Sequence, residues 1–257
     1  MAGFIGDNGL ASPLNRGVFF GYRNHWNELE GVALIGHAML METRTDRALQ
    51  AFAETAKELT SAHMIMGEQP RINEFWDYYS EGGQQSRLAC QERLFELQCP
   101  VEVHEQVPGL RLATESDLDL IMPVQAQMAF AETGIDPLEK DPEGFRERCV
   151  RRISLGRTWA KTEHGKLMFK AEVMAQTPEM AYIEGIWVDE SQRGRGFGLR
   201  CLSQFSRELL SQSKSISLLI NENNEPAQGL YRKAGYKFSC TYTTIFLESE
   251  TASPSLS

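Results

Sequence analysis

Two stretches of the chain carry a clear helical repeat of apolar positions. Between Thr45 and Leu59, the residues Leu49, Phe52, Ala56 and Leu59 recur every three or four positions, and Thr45 is placed to cap the start. Leu199, Leu202, Phe205 and Leu209 define a second such face. Around the first lie strand-like runs, "GVALIGHAMLM" (31–41) and "AHMIMG" (62–67). The segment "RINEFWDYYSEGG" predicts a helix stopped by Gly82 and Gly83, and "SRLACQERLFEL" fits strand or helix equally. The residues before 31 show no firm pattern.

The second half is more sharply patterned. "LRLATESDLDLIMPVQAQMAFAE" predicts a strand, a cap at Thr114 with acidic residues in the first turn, then a helix that runs through Pro123. A second helix covers Phe145–Ser154, and "RTWAKTEHGKLMFKAEVMAQ" alternates on both sides of "EHGK", a hairpin signal. "AYIEGIWV" and "SISLLI" predict strands, the latter ending at Asn221. "EPAQGLYRKAG" predicts a short helix with Pro226 in its first turn and Gly235 as its stop, before closing strand material in "YKFSCTYTTIFL". This order predicts an α/β (α+β) architecture with a sheet of mixed direction. Two prolines and a glycine between Gln98 and Leu112 mark a join between halves.

Composition narrows the function classes. With 257 residues the chain can bury a sizeable core as one large domain or two small ones. A net charge of −9 argues against nucleic acid as a partner. The five cysteines are scattered without a C-x-x-C pair, which fits reduced thiols in the cytoplasm and no zinc site. The histidines show no metal-ligand spacing, so no metal is expected. No apolar run reaches the roughly 20 residues of a membrane span, and "MAGFIGDNGL" does not read as a signal peptide.

The densest chemical signal is "VDESQRGRGFGLRCLSQF", where glycines alternate between two arginines just before an amphipathic helix. Glycines let backbone amides approach a ligand, and several amides at a helix start form an anion site. The third glycine of a dinucleotide fingerprint is missing, since Leu199 stands there, and no Gly-Lys-Ser/Thr of a P-loop follows. A plain glycine-rich turn stays open as the simpler explanation.

Arg193-Gly194-Arg195-Gly196-Phe197-Gly198 resembles the [Q/R]-x-x-G-x-[G/A] pyrophosphate loop of the GCN5-related N-acetyltransferase (GNAT) family. "IEGIWV" before it and "NEPAQGLYRKAGYKF" after it resemble that family's fourth strand and its later N-x-x-A-x-x-L-Y segment. The resemblance covers roughly Leu110–Leu247. The first half repeats the strand and helix rhythm, but "ETRTDRA" in the equivalent place has no glycine, and it resembles the degenerate first half of two-domain bacterial members. The expected organisation is a degenerate GNAT-like domain over 1–105, a GNAT domain over 106–248 and a disordered tail over 249–257.

The resemblance implies transfer of an acetyl group from acetyl-CoA, as co-substrate, to a primary amine in a ternary complex. It implies that Arg193, Gly194, Arg195, Gly196, Phe197 and Gly198 hold the pyrophosphate, and that Ile186, Trp187 and Val188 pair with the pantetheine arm, with a main-chain N–H near Ile186 facing the thioester oxygen. Tyr231 would be the general acid for the departing thiolate, against a core tyrosine beside a buried Leu230. Asn224 would bond the pantetheine or only cap its helix, and Asn221 has a lesser claim. Glu184 is the candidate base; alternation places it on one face with Tyr182 and Ile186, and a solvent-facing glutamate is the rival. Arg200 would reach another phosphate or, as the simpler alternative, be a solvated helix position. Glu132, Asp136, Glu139 and Asp141 make the presumed acceptor side acidic, as an ordinary solvated loop would also be. The acceptor would be a small-molecule or peptide amine, with no membrane partner and a homodimer left open. A non-catalytic acyl-CoA-binding or partner-binding module is the rival function, and a longer acyl-CoA donor a variant of the first.

Overall fold

The computed structural model describes residues 1–58, 62–98, 102 and 105–248. The expected tail at 249–257 lies outside these residues, as do Leu59, Cys99 and His104. The chain forms two compact units that do not divide at a single point. The first comprises residues 1–94, Asn221–Asn223 and Ser239 onward; the second comprises Phe95–Ile220 and Asn224–Phe238.

The first unit opens with helix α1 (Ala2–Asn8) and strand β1 (Gly17–Arg23), which periodicity did not predict. The apolar run 31–41 is not one strand but two, β2 (Leu29–Gly36) and β3 (Ala38–Thr43), paired antiparallel about a turn near Gly36 and His37. No Asn-Gly or Asp-Gly pair announces that turn, so it is hidden inside continuous hydrophobicity. Helix α2 (Asp46–Lys57) starts where the pattern placed it: the Thr45 hydroxyl accepts from the Ala48 N–H at 3.3 Å. Strand β4 (Met64–Glu68), helix α3 (Gln69–Tyr79) and strand β5 (Ser86–Leu97) follow, which settles the ambiguous segment as a strand.

Strand β3 runs parallel to β4, and β4 pairs antiparallel with the last strand, β11 (Lys237–Leu247). This pairing assigns the chain's final strand to the first unit, whereas Phe95 and Leu97 at the end of β5 are core residues of the second. The first core joins Ile35, Phe52, Ile65, Phe75, Tyr79 and Ile245.

The second unit contains β6 (Leu110–Leu112), α4 (Leu118–Thr133), α5 (Pro137–Lys140) and α6 (Pro142–Ser154). Strands β7 (Thr158–Glu163), β8 (Lys166–Gln176) and β9 (Met180–Val188) come next, followed by α7 (Phe197–Leu210), β10 (Ser215–Asn221) and α8 (Glu225–Lys233). Strands β6 to β9 pair antiparallel in sequence, and β10 joins β9 in parallel. At Thr114 the expected cap forms: the Asp117 carboxylate accepts from the Thr114 N–H at 2.8 Å and is gripped by Arg111 at 2.7 and 3.0 Å. Between β7 and β8, His164 and Gly165 both take positive φ (49° and 73°), the backbone a tight hairpin needs.

Cores lie on both faces of this sheet. On one side Phe169, Ala171 and Val173 meet Cys201, Leu202 and Phe205 of α7. On the other, Leu167 and Ala160 meet Ile121, Phe145 and Ile153 of α4 and α6. Each such fully buried large side chain contributes roughly 1.5–3 kcal/mol. The second unit is thus a mixed sheet flanked by helices, and the first has the same composition.

Candidate active site

Strand β9 is nine residues long, but only Met180–Tyr182 pair with β10, opposite Ser215–Ser217. Beyond that point the register with β10 stops, and among the described residues Ile183–Val188 have no ladder partner on that edge of β9. The glycine segment follows at the end of that edge. Its glycines answer different needs. Gly194 and Gly196 take φ of 73° and 74°, which side chains resist. Gly198 lies against β9, where an added Cβ would stand 2.9 Å from a Val188 methyl carbon.

Gly196 is the N-cap of α7 and offers no side-chain acceptor, and the first turn has no acidic residue. The leading amides of a 14-residue helix are therefore uncapped by any side chain, with the positive end of the helix dipole behind them. Arg195 is exposed beside them. The Arg200 guanidinium lies 3.7 Å from where a Cβ on Gly196 would sit, so it faces the loop as well as solvent. Arg193 is differently employed: its Nε donates to the Val188 carbonyl at 3.0 Å and its Nη1 stands 3.5 Å from Glu190. It closes the loop back onto the strand. Phe197 is buried in the core, so only its backbone faces the loop.

Tyr231 on α8 is 6 % exposed and packs beside Phe95 and Tyr236, with ring centroids 6.3 and 5.8 Å away. Its hydroxyl has no hydrogen-bond partner among the described residues, and burial pushes its pKa well above the ordinary phenol value. It is a neutral donor across the physiological range. The neighbouring Leu230 is half-buried, not fully buried as its sequence position suggested. Asn224 caps α8, accepting from the Ala227 N–H at 3.2 Å, and Asn221 accepts from the Asn223 N–H at 2.9 Å.

Glu184 does not share a face with Ile186, contrary to simple alternation. Between the pairs Lys170↔Trp187 and Glu172↔Glu184 the register slips, so Gly185 and Ile186 together oppose Ala171. This is a β-bulge, and Gly185 supplies its positive φ of 62°. The bulge puts Glu184 with Glu172, Lys170 and Trp187 on the α4 and α6 side, while Ile186 and Val188 pack toward α7. Glu184 is exposed to solvent along part of its surface. Desolvation raises its pKa above the ordinary glutamate value, with the Tyr182 hydroxyl bond pulling the other way.

Periodicity missed what lies beneath. Residues Leu167–Val173 of β8 are all buried, and two of them are charged. Lys170 is 0 % exposed and Glu172 is 2 % exposed. The Lys170 ammonium donates to the Gln125 side-chain oxygen, to the Gly185 carbonyl at 3.0 Å, and pairs with Glu172 at 3.3 Å. Arg152 of α6 reaches the other Glu172 oxygen at 2.6 Å. Burial pushes the Lys170 pKa down, opposed by Glu172. Burial works to raise Glu172, but Lys170 and Arg152 together hold it below the ordinary value. In "KLMFKAEVMAQ" the lysine and glutamate occupy the polar positions of an alternating strand, so the sequence reads as a solvated face. The isolated Gly185 in a strand was the available signal of a bulge.

The acidic connection on the presumed acceptor side is largely structural. Asp136 caps α5 through the Leu138 N–H at 2.8 Å, and Asp141 caps α6 through Gly144 at 3.0 Å while pairing with Arg148. Nearby, a cavity of about 510 Å³ is bounded by Gln127, Met128 and Ala131 of α4 together with Trp187, Asp189, Glu190 and Arg193. Among the described residues no helix is long and apolar enough to cross a membrane.

Residues 165–245, which contain β8 through most of β11, match the family described as FR47-like protein. No curated protein matches the sequence. Solved structures share its fold. A GNAT-family acetyltransferase from Colwellia psychrerythraea superposes with a TM-score of 0.59 at 14% identity, covering 93% of this chain and 88% of that one. A GCN5-related N-acetyltransferase from Sphaerobacter thermophilus gives 0.56 at 14%, covering 90% and 80%. A tandem GNAT protein from the clavulanic acid biosynthesis pathway gives 0.56 at 10%, covering 91% and 83%. The chain therefore has the fold of the GNAT acetyltransferases, and its residues 165–245 match the FR47-like family.

Proposed function

We propose that the protein is an N-acetyltransferase that moves an acetyl group from acetyl-CoA to a primary amine by direct transfer in a ternary complex. The observation that carries this reading is the start of α7, uncapped by any side chain, following the stretch of β9 where the register with β10 has stopped. Backbone amides from Gly194 to Gly198 would hold the pyrophosphate, with Arg195 and Arg200 adding charge-assisted contacts. Arg193 serves the loop's shape, through its bond to Val188. The pantetheine arm would lie along the unpaired edge of β9 as an added strand does, at Ile186, Trp187 and Val188.

The amine nitrogen attacks the thioester carbonyl carbon, and its proton leaves to Glu184, directly or through water. The carbonyl oxygen gathers negative charge, which the Ile186 N–H would stabilise. As the intermediate collapses the carbon–sulfur bond breaks, and the thiolate takes the Tyr231 proton. The dry setting that keeps this phenol neutral also strengthens the basicity of the leaving sulfur. The products are the amide and the free thiol of CoA. Asn224 orders α8, which carries Tyr231.

The test is thiol release from acetyl-CoA across a panel of primary amines, with donor binding measured in parallel by calorimetry. Release that depends on the amine supports the enzyme. Tight donor binding with no release from any amine favours a non-catalytic acyl-CoA-binding module, and absence of donor binding removes both.

A further inference from the structure

Lys170 has no part in the chemistry above, yet its ammonium is buried beneath the one peptide on which that chemistry leans. An interior ammonium is costly unless its donors are met, and apolar residues in place of the whole Lys170–Glu172–Arg152 group would often leave the fold as stable or more so. Core packing therefore does not account for it. Its partners do. It donates to the Gly185 carbonyl at 3.0 Å and to Gln125, and it pairs with Glu172, which Arg152 anchors in turn.

The ammonium also occupies the space that a side chain at residue 185 would need, since a Cβ there would lie 2.9 Å from Nζ. Gly185 and Lys170 are thus two halves of one arrangement: the glycine permits the bulge, and the lysine grips it. Neither Gly185 nor Ile186 has a ladder partner in β8 or β10. The regular pairing is interrupted at this bulge, and the Lys170 ammonium adds a fixed contact to the peptide between them. That peptide is planar and trans, so its carbonyl and its N–H point in opposite directions. Fixing the carbonyl on the ammonium fixes the Ile186 N–H pointing away from it.

We infer that Lys170 is a positioning residue, which holds the Gly185–Ile186 peptide so that the Ile186 N–H is set to polarise the thioester carbonyl. This rests on the acetyl-transfer reading, because it concerns a donor that the reading places at that N–H. It adds a buried cation, Gln125 and Glu172 to the machinery without bringing any of them to the substrate.

The experiment is isotope-edited infrared spectroscopy of acetyl-CoA labelled with ¹³C at the thioester carbonyl, bound to the wild type and to Lys170→Met. In the wild type the bound carbonyl stretch should move to lower wavenumber than in free acetyl-CoA. In Lys170→Met it should return most of the way to the free value with donor affinity within about twofold, alongside a lowered melting temperature because Glu172 keeps only Arg152 as its partner. With any amine that supports turnover, release should fall on the order of 10²-fold, as loss of one oxyanion donor does. A carbonyl shift that survives in Lys170→Met overturns the inference, as does a variant whose only change is lost stability. If that variant does not fold, Gln125→Leu decides, with a partial return of the stretch expected and an unchanged stretch counting against. A wild type that binds no acetyl-CoA refutes the acetyl-transfer reading itself, a different result from binding with an insensitive carbonyl.

Discussion

Strand β3 leads into α2 as β9 leads into α7, and each helix then returns to a strand parallel to the first. The helix starts are chemically opposite. At α2 the Thr45 hydroxyl accepts from Ala48, and Asp46 adds negative charge in the first turn, paired to Arg71 at 2.8 Å. At α7 the cap is a glycine with no side-chain acceptor, no acid follows, and Arg195 and Arg200 stand close by. The neighbouring strands differ too: β2 and β3 pair without a slip in register, whereas β9 is bulged at Gly185. Tyr79 on α3 has its hydroxyl engaged by the Gln84 N–H at 3.2 Å, whereas that of Tyr231 on α8 has no protein partner among the described residues. One local topology has been finished in two ways. The first satisfies its own polar groups with side chains and the second does not.

The contrast breaks most severely at Tyr231. Tyr231→Phe removes a hydroxyl with no protein partner, so stability and donor affinity should hold while turnover falls by about 10²–10⁴-fold, measured by thiol release. Unchanged turnover would reassign the acid. Next is the loop. Gly196→Val forces a β-branched residue into positive φ at the N-cap, at a cost of about 1–2 kcal/mol. Acetyl-CoA affinity should weaken by about tenfold or more, since ~1.4 kcal/mol is one decade. Equal affinity by calorimetry would make the loop a mere turn.

The elements that carry those two candidate sites were legible because their signals are local. Residues 193–198 and 224–231 are contiguous stretches, and the glycines and the tyrosine are constrained by backbone angles and by spacing along one helix. The Lys170 network was not legible, since its members Gln125, Arg152, Lys170, Glu172 and Gly185 come from α4, α6, β8 and β9. Only the fold brings them together, and period-two alternation disguises a strand covered on both faces as one that is half solvated. The same limit applies to β2 and β3, where Gly36 and His37 turn the chain inside an unbroken apolar run. It also applies to β11, whose partner β4 lies more than 150 residues earlier. Helices with a cap in sequence, at Thr45 and Thr114, start where the pattern put them.

Smaller effects sharpen the comparison. Asp117 caps the entry to α4 and is held by Arg111, whose guanidinium hydrogen bonds push its pKa down to about 2 from 3.8. A carboxyl with a lowered folded-state pKa stabilises above its unfolded value, and that stabilisation is lost as pH falls through the folded one. Asp117→Asn should therefore cost roughly 1–3 kcal/mol near neutral pH. Its melting temperature should converge with wild type as pH drops from 3.8 toward about 2. A gap that persists in acid would mean the loss is packing. Thr45→Ala in the first unit should cost about 1 kcal/mol in calorimetric stability, with acetyl-CoA affinity unchanged. Weakened donor binding in that variant would show that the first unit takes part.

Only the helix start left open by glycine should receive the donor's diphosphate. Titration calorimetry of acetyl-CoA into the intact protein tests it by counting sites. A stoichiometry of one donor per chain is the predicted result; two equivalent sites per chain, or no binding heat at any workable temperature, would contradict it.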